Sequence, residues 1–160
     1  MLGKTYETQV CSAARALEFV GERWTLLIVR DAFFAGATRF SDFHKGLGIA
    51  TNVLTSRLEG LVRAGIMERR GSVQHPELHE YVLTEKGQQL APVIVALTEW
   101  GDRWEAPDGP PVLYTHASCG GEISQQITCT NCGRVDDPAE LKVRAGPGMP
   151  ADRAALMATS

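Results

Sequence analysis

The chain of 160 residues lacks several features that would assign it to a common class of protein. It has no excess of positive charge: 16 Lys and Arg stand against 19 Asp and Glu, which excludes a generally polybasic nucleic-acid binder. No apolar run approaches the roughly 18 residues of a membrane span, and the first residues lack the apolar core of a signal peptide. We therefore expect a cytoplasmic globular protein with no membrane partner.

Motifs of the common catalytic sites are also missing. The chain contains no Gly-rich phosphate loop, no Gly-x-Ser-x-Gly elbow and no His-Glu-x-x-His pair. Zinc deaminases need His-x-Glu followed by Pro-Cys-x-x-Cys, but Ser118 and Thr128 occupy the Glu and Pro positions. We therefore predict that the protein is not an enzyme.

Positive charge is concentrated in the middle of the chain. Residues 36–75 hold six basic and three acidic side chains, a net charge of +3, whereas the remainder holds ten basic and sixteen acidic side chains, a net charge of -6. One basic face on an acidic protein suits contact with a polyanion, although solvated faces also show differences of this size.

The spacing of apolar residues predicts a mainly helical domain with a small β wing over residues 1–105. Helices are expected at about 10–20, 23–34, 41–45 with Ser41 as N-cap, 48–65, and 85–104 with Pro92 inside the last one. Residues 66–70 and 81–83 are expected to form two strands around a polar tip. This order is typical of a winged helix-turn-helix, and its alternative is an all-helical core with an incidental hairpin.

The predicted helix in residues 48–65 carries the most specific pattern. Leu54, Leu58 and Leu61 recur on one face and are expected to be buried. The face opposite these leucines begins with short polar side chains, whereas a helix face that only meets solvent usually carries Lys and Glu. Short polar side chains are suited to contact base edges and phosphates in a major groove. These side chains, with the residues at the edges of the face, are Thr51, Asn52, Thr55, Ser56 and Arg57.

Many residues, in order along the chain, resemble the HxlR-type branch of the MarR-like transcriptional regulators. They include Cys11, 16–28, Gly36, 39–43, Ile49, Leu54, 57–58, Gly65, 80–84, Gly87, Leu90 and 100–101. Two positions depart from the family pattern, because Ser12 replaces the usual proline after Cys11 and Glu22 replaces a glycine next to Gly21.

The resemblance implies a winged-helix homodimer, joined through its terminal helices, that binds a palindromic operator in double-stranded DNA. We expect a regulator, and specifically a repressor, whose groove-facing residues are the five named above. Phosphate contacts are expected at Arg39 and Ser41, and the wing is expected to contribute Arg69, Arg70, Gln74 and His75. Alternatively, Arg57 forms an ion pair with a carboxylate. Arg69 and Arg70 are alternatively solvated strand residues that do not contact DNA.

Two further sites have competing interpretations. A small apolar effector is a candidate ligand for a pocket lined by Phe33, Phe34, Trp100 and Trp104, although aromatic residues at helical spacing are more often core or dimer contacts. Cys11 is a candidate redox sensor because some relatives signal through a cysteine here. The competing interpretation is a small buried hydrophobic residue, and only Arg15 lies one helical turn away to lower the pKa of its thiol.

A linker at 106–111 leads to a small β-rich module at 112–145 and a loosely ordered tail at 146–160. The module has too few large apolar residues for a core, but His116, Cys119, Cys129 and Cys132 form two pairs with zinc-ligand spacing. A structural Zn²⁺ would staple the module, and a closed four-ligand site argues against catalysis. A disulfide from Cys119 to Cys129 or Cys132, or simply reduced thiols, are the alternatives.

One function of a different class fits the same fold. The chain could be a protein-interaction module on a winged-helix scaffold that does not bind DNA. Such a protein would show no steep salt dependence toward duplex DNA.

Overall fold

The computed structural model describes residues 5–6, 9–71 and 78–157. The helices of this part are α1 (Ser12–Val20), α2 (Thr25–Phe34), α3 (Phe40–Leu47), α4 (Thr51–Arg63), α5 (Glu85–Gln88), α6 (Ala91–Trp104) and α7 (Ala151–Met157). The strands are β1 (Met67–Gly71), β2 (His79–Leu83), β3 (Thr128–Cys129) and β4 (Gly133–Arg134). The chain divides into two compact units, residues 1–124 and 125–160. The predicted mainly helical fold with a small antiparallel sheet is confirmed.

The core of the first unit lies where α2, α3 and α4 meet. Its fully buried large side chains are Ile28, Val29, Phe43, Leu54, Leu58, Leu61 and Met67. The predicted apolar face of α4 is therefore the buried one. Gly48 ends α3 in the left-handed conformation, and the short turn before α4 carries Ile49 into the core at 6% exposure. Burial of this face fixes which side of α4 remains outside.

Strands β1 and β2 form the antiparallel hairpin predicted as a wing. Met67 lies opposite Leu83 at its base and Gly71 opposite His79 near its tip. The Tyr81 backbone N–H donates to the Thr38 carbonyl at 2.7 Å, which ties the hairpin to the segment before α3. The hairpin is thus held beside the start of the helix-turn-helix.

Two local predictions are wrong. The helix expected over 85–104 is divided into α5 and α6, and Pro92 lies in the first turn of α6 instead of bending a longer helix. A proline costs little there, because first-turn N–H groups have no partner within the helix. The N-cap of α3 is Arg39 and not Ser41; the Asp42 carboxylate accepts the Arg39 backbone N–H at 3.0 Å.

The C-terminal part also differs from expectation. Residues 112–124 belong to the first unit, where Tyr114 stacks on Phe34 with ring centroids 4.1 Å apart. The second unit is not β-rich, since β3 and β4 contain two residues each. The expected loose tail contains α7. Within the part of the chain that the structure describes, no helix combines the length and apolarity needed to cross a membrane.

Candidate nucleic-acid interface

The outer face of α4 presents the short polar side chains that the sequence pattern placed there. The exposed residues of its first two turns are Thr51, Asn52, Thr55 and Ser56. The Thr55 hydroxyl donates to the Thr51 carbonyl at 2.9 Å, and its oxygen can still accept hydrogen bonds from outside. This face offers both donors and acceptors to a ligand that lies along the helix.

Arg57, at the edge of the same face, is engaged with another residue. Its Nη2 atom lies 2.8 Å from Oε2 of Glu22, and its side chain is only 26% exposed. Its Nε atom is buried and has no hydrogen-bond partner within the described residues. In this structure Arg57 is therefore the ion-pair partner of a carboxylate, as the alternative interpretation predicts. To contact a base, its guanidinium would have to separate from Glu22.

A cleft of about 620 Å³ lies between α3, the start of α4 and the wing. Four of the predicted DNA contacts line it: Arg39, Ser41, Thr51 and Arg69. Two of these four are arginines, so the cleft is suited to a phosphate backbone running past the start of α4. Arg39 is half-exposed, with Nε 3.8 Å from a carboxylate oxygen of Glu80, which leaves the guanidinium accessible from the cleft.

The cleft also contains two histidines that sequence reasoning missed. His44 lies one helical turn after Ser41 on α3, and His79 is the first residue of β2. His44 could have been found from the sequence, because residues three positions apart lie on the same side of a helix and Ser41 was already a predicted contact. No local pattern indicates His79, because its position depends on the pairing of the two strands.

The wing arginines differ in their partners. Arg69 is exposed opposite Tyr81, and Arg70 is exposed but forms an ion pair with Glu68 on the same strand. Arg69 is therefore the better placed of the two to contact the cleft. The predicted contacts Gln74 and His75 lie outside the described residues.

Cys11 precedes α1 as its N-cap and is exposed. The interpretation as a buried hydrophobic residue is therefore wrong for this chain. The backbone N–H groups of Ala14 and Ala13, at the start of the helix, lower the pKa of the Cys11 thiol below its ordinary value. This cause was missed because the predicted helix began before Cys11.

Large apolar side chains are exposed on the two terminal helices of the first unit. On α6 they are Val93, Leu97, Trp100 and Trp104, and on α1 they are Leu17 and Phe19. The α6 residues are spaced as one stripe along a helix. Such a patch marks a contact surface more often than a chance exposure.

The effector-pocket candidates are only partly assembled. Phe33 and Phe34 are neighbours at the end of α2, with centroids 4.7 Å apart, whereas Trp100 and Trp104 lie on α6 and are 58% and 63% exposed. Phe34 is occupied by its stack on Tyr114, which lies beyond the predicted domain.

The four predicted metal ligands form two close pairs. In the first unit, His116 Nδ1 lies 3.3 Å from Cys119 Sγ. In the second unit, the backbone N–H groups of Cys132 and Asn131 bond the Cys129 sulfur and lower the pKa of its thiol. Among the described residues, no three His, Cys, Asp or Glu side chains are grouped so as to hold a metal ion.

The fold and the site define a winged helix-turn-helix protein with a cationic cleft beside its second helix. Comparison with known proteins agrees, since the model of the HxlR-like helix-turn-helix family matches residues 19–109. An uncharacterized HTH-type transcriptional regulator of Mycobacterium tuberculosis (strain H37Rv) is 45% identical over 141 residues, or 88% of this chain and 89% of the relative.

Solved structures give the same result. PA1607, described as a transcription factor, superposes with a TM-score of 0.80 at 34% identity, covering 88% of this chain and 99% of that one. The redox regulator HypR in its reduced form has a TM-score of 0.52 at 30% identity, covering 58% of this chain and 92% of its own. The chain belongs to the HxlR-like helix-turn-helix family of DNA-binding transcriptional regulators.

Proposed function

We propose that the protein acts in the cytoplasm as a homodimeric repressor that binds a palindromic operator in double-stranded DNA. In this proposal α4 enters the major groove, and Asn52 and its polar neighbours contact base edges. The observation that carries it is the arrangement of Arg39, Ser41, Thr51 and Arg69 in one cleft at the start of α4. Phosphate contacts in that cleft would orient the helix in the groove.

Dimerisation is supported by the exposed apolar stripe on α6. Residues Leu97, Trp100 and Trp104 are 52%, 58% and 63% exposed, and such surface is costly to leave in water. A second copy of the chain is the proposed occupant. Two copies would present two α4 helices, which is what a palindromic site requires.

Signal response is proposed at two places. The exposed Cys11, with its lowered thiol pKa, is suited to oxidation, and the likeness to a protein described as a redox regulator supports that role. A small apolar effector would bind near Phe33 and Phe34, with Trp100 and Trp104, where aromatic surface is exposed. In the redox case, diamide would reduce operator affinity, dithiothreitol would restore it, and a Cys11→Ser protein would ignore both.

Binding to duplex DNA from the chain's own upstream region tests the proposal. The wild-type protein, Asn52→Ala and Gln88→Ala are titrated at two salt concentrations. Gln88 is an exposed amide on α5, outside the cleft, and serves as the matched control. We expect affinity to fall with salt, and Asn52→Ala to weaken binding by about 10- to 100-fold, the value of a lost bidentate base contact.

Two results would overturn the proposal. Absence of duplex binding at low salt by the reduced protein would favour the interaction-module alternative. If Asn52→Ala binds the duplex as tightly as the wild type does, α4 does not recognise the base sequence, even though the protein binds DNA.

A further inference from the structure

The cleft between α3, the start of α4 and the wing contains two side chains that the proposed DNA contacts do not use. His44 lies in the last turn of α3, and His79 is the first residue of β2. Both residues are exposed, and both line the same cleft of about 620 Å³. Two separate elements therefore bring an imidazole each to one concave surface.

Different parts of the fold position the two histidines. The His44 ring lies nearly parallel to the ring of Phe40, one turn earlier in α3, with ring centroids 6.3 Å apart and an angle of 13° between the planes. His79 lies opposite Gly71 in the hairpin, so its position depends on the pairing of β2 with β1. Both imidazoles thus belong to the same framework as the predicted phosphate contacts.

The charges around the cleft favour an anionic ligand. Arg39 and Arg69 line it, together with the Tyr81 phenol, and none of the described residues in the lining is an aspartate or a glutamate. Two carboxylates on the same elements interact with Arg39 instead. Asp42 of α3 accepts its backbone N–H at 3.0 Å, and a carboxylate oxygen of Glu80 of β2 lies 3.8 Å from its Nε. A positive charge on either imidazole would therefore add to a surface that is already cationic.

We propose that His44 and His79 contact DNA phosphates as imidazolium groups, so that operator binding takes up protons. This inference rests on the proposed function, because the ligand of the cleft is then the DNA backbone. Histidine is the side chain whose charge changes between pH 5 and 8, and both of its ring nitrogens are donors only in the protonated form.

The direction of the pH dependence follows from charge. Each imidazolium beside a phosphate adds one cation to the two arginines and releases a counterion from the DNA. Between pH 6 and pH 8 aspartate and glutamate stay ionised, and lysine and arginine stay protonated. The charge of the cleft therefore changes through its histidines, and affinity for DNA should rise as the pH falls from 8 to 6.

Binding of the full-length, reduced protein to duplex DNA from its own upstream region, at pH 6 and pH 8, tests the inference. The variants are His44→Gln, His79→Gln and the double variant, because glutamine is polar but cannot become cationic. The matched control is His116→Gln, which removes an exposed histidine outside the cleft. We expect the wild type and the control to bind about 10-fold more tightly at pH 6 than at pH 8. Each single variant should lose part of this difference, and the double variant should lose most of it.

The salt dependence at each pH gives a second readout, which a merely structural role of the histidines would not change. The slope of log affinity against log salt should be steeper at pH 6 than at pH 8 by about 0.9 for each imidazolium that contacts a phosphate. The double variant should lose most of this change in slope.

Three results would overturn the inference while leaving DNA binding in place. The wild type could bind equally at both pH values, the double variant could keep the full pH dependence, or His116→Gln could remove it as well. A different result, absence of duplex binding at low salt at both pH values, would overturn the proposed function and this inference with it.

Discussion

The two units of the chain are stabilised in different ways. Residues 1–124 are organised around a buried apolar core that includes Phe43, Leu54 and Leu58, each with 0% exposure. In the second unit, Ile127 is 47% exposed and Val143 is 85% exposed. A buried core stabilises a structure through contacts among many apolar side chains. A segment without such a core depends on a few strong bonds at defined positions. The placement of α4 therefore depends on packing, and that of β3 and β4 depends on the backbone pairing of a short hairpin.

Limited proteolysis should separate the two units most clearly. Cuts are expected first within residues 125–157, while the helical circular dichroism of the first unit persists, because a segment without buried apolar side chains opens locally at little cost in free energy. Mass spectrometry of the fragments locates the cuts. Cuts distributed evenly over both units would contradict the comparison.

A core substitution should act in the opposite region. Leu58→Ala is expected to lower the free energy of unfolding by about 2–5 kcal/mol, since it removes a fully buried side chain from α4. The matched change Ile127→Ala, at a half-exposed position of the second unit, should cost no more than about 0.5 kcal/mol. Urea unfolding of both proteins provides the measurement, and equal losses would refute the contrast.

The ion pair between Arg57 and Glu22 should contribute much less. Its side chains are 26% and 53% exposed, so a double-mutant cycle with Arg57→Ala and Glu22→Gln should give a coupling of about 0.2–1 kcal/mol. Because Arg57 is paired inside the protein, Arg57→Ala should weaken DNA binding less than Asn52→Ala does. A larger loss at Arg57 would mean that it leaves Glu22 when DNA binds.

The smallest predicted effect concerns the Cys11 thiol. It is a difference in alkylation rate between the folded and the unfolded chain, and not a difference in stability. The pKa of this thiol is lowered in the folded chain by helix N–H groups, so the thiolate persists to lower pH than in the unfolded chain. Alkylation at pH 7 should therefore be faster in the folded protein than in urea. The difference should disappear by about pH 10, more than one pH unit above the ordinary thiol pKa of about 8.5, where the thiol of the unfolded chain is ionised as well. Rates from pH 6 to 10 test this sign; a faster reaction in urea at pH 7 would reverse it.

Much of the fold follows from the sequence because α4 has a clear period. Leu54, Leu58 and Leu61 define the buried face, and the burial of that face determines where Asn52 lies. The division between α5 and α6 could not be predicted from the sequence, because Pro92 fits both a bend within one helix and the first turn of a new helix.

The site was harder to predict where it depends on residues distant in the chain. The Glu22 partner of Arg57 is 35 positions away, and no local pattern connects the two. Glu22, which replaces the glycine that is usual in the family, supplies the carboxylate of this pair. His79 enters the cleft only because β2 pairs with β1. Periodicity describes one element at a time, and contacts between elements require the fold.

The most direct test of the account compares Asn52→Ala with Arg39→Ala on operator and scrambled duplexes of equal length. If α4 reads bases and the cleft contacts phosphates, Asn52→Ala should lose affinity mainly for the operator, whereas Arg39→Ala should lose affinity for both duplexes and reduce the salt slope by about one per chain. Equal losses on both duplexes in Asn52→Ala, with unchanged specificity, would contradict the central claim that α4 is the reading helix.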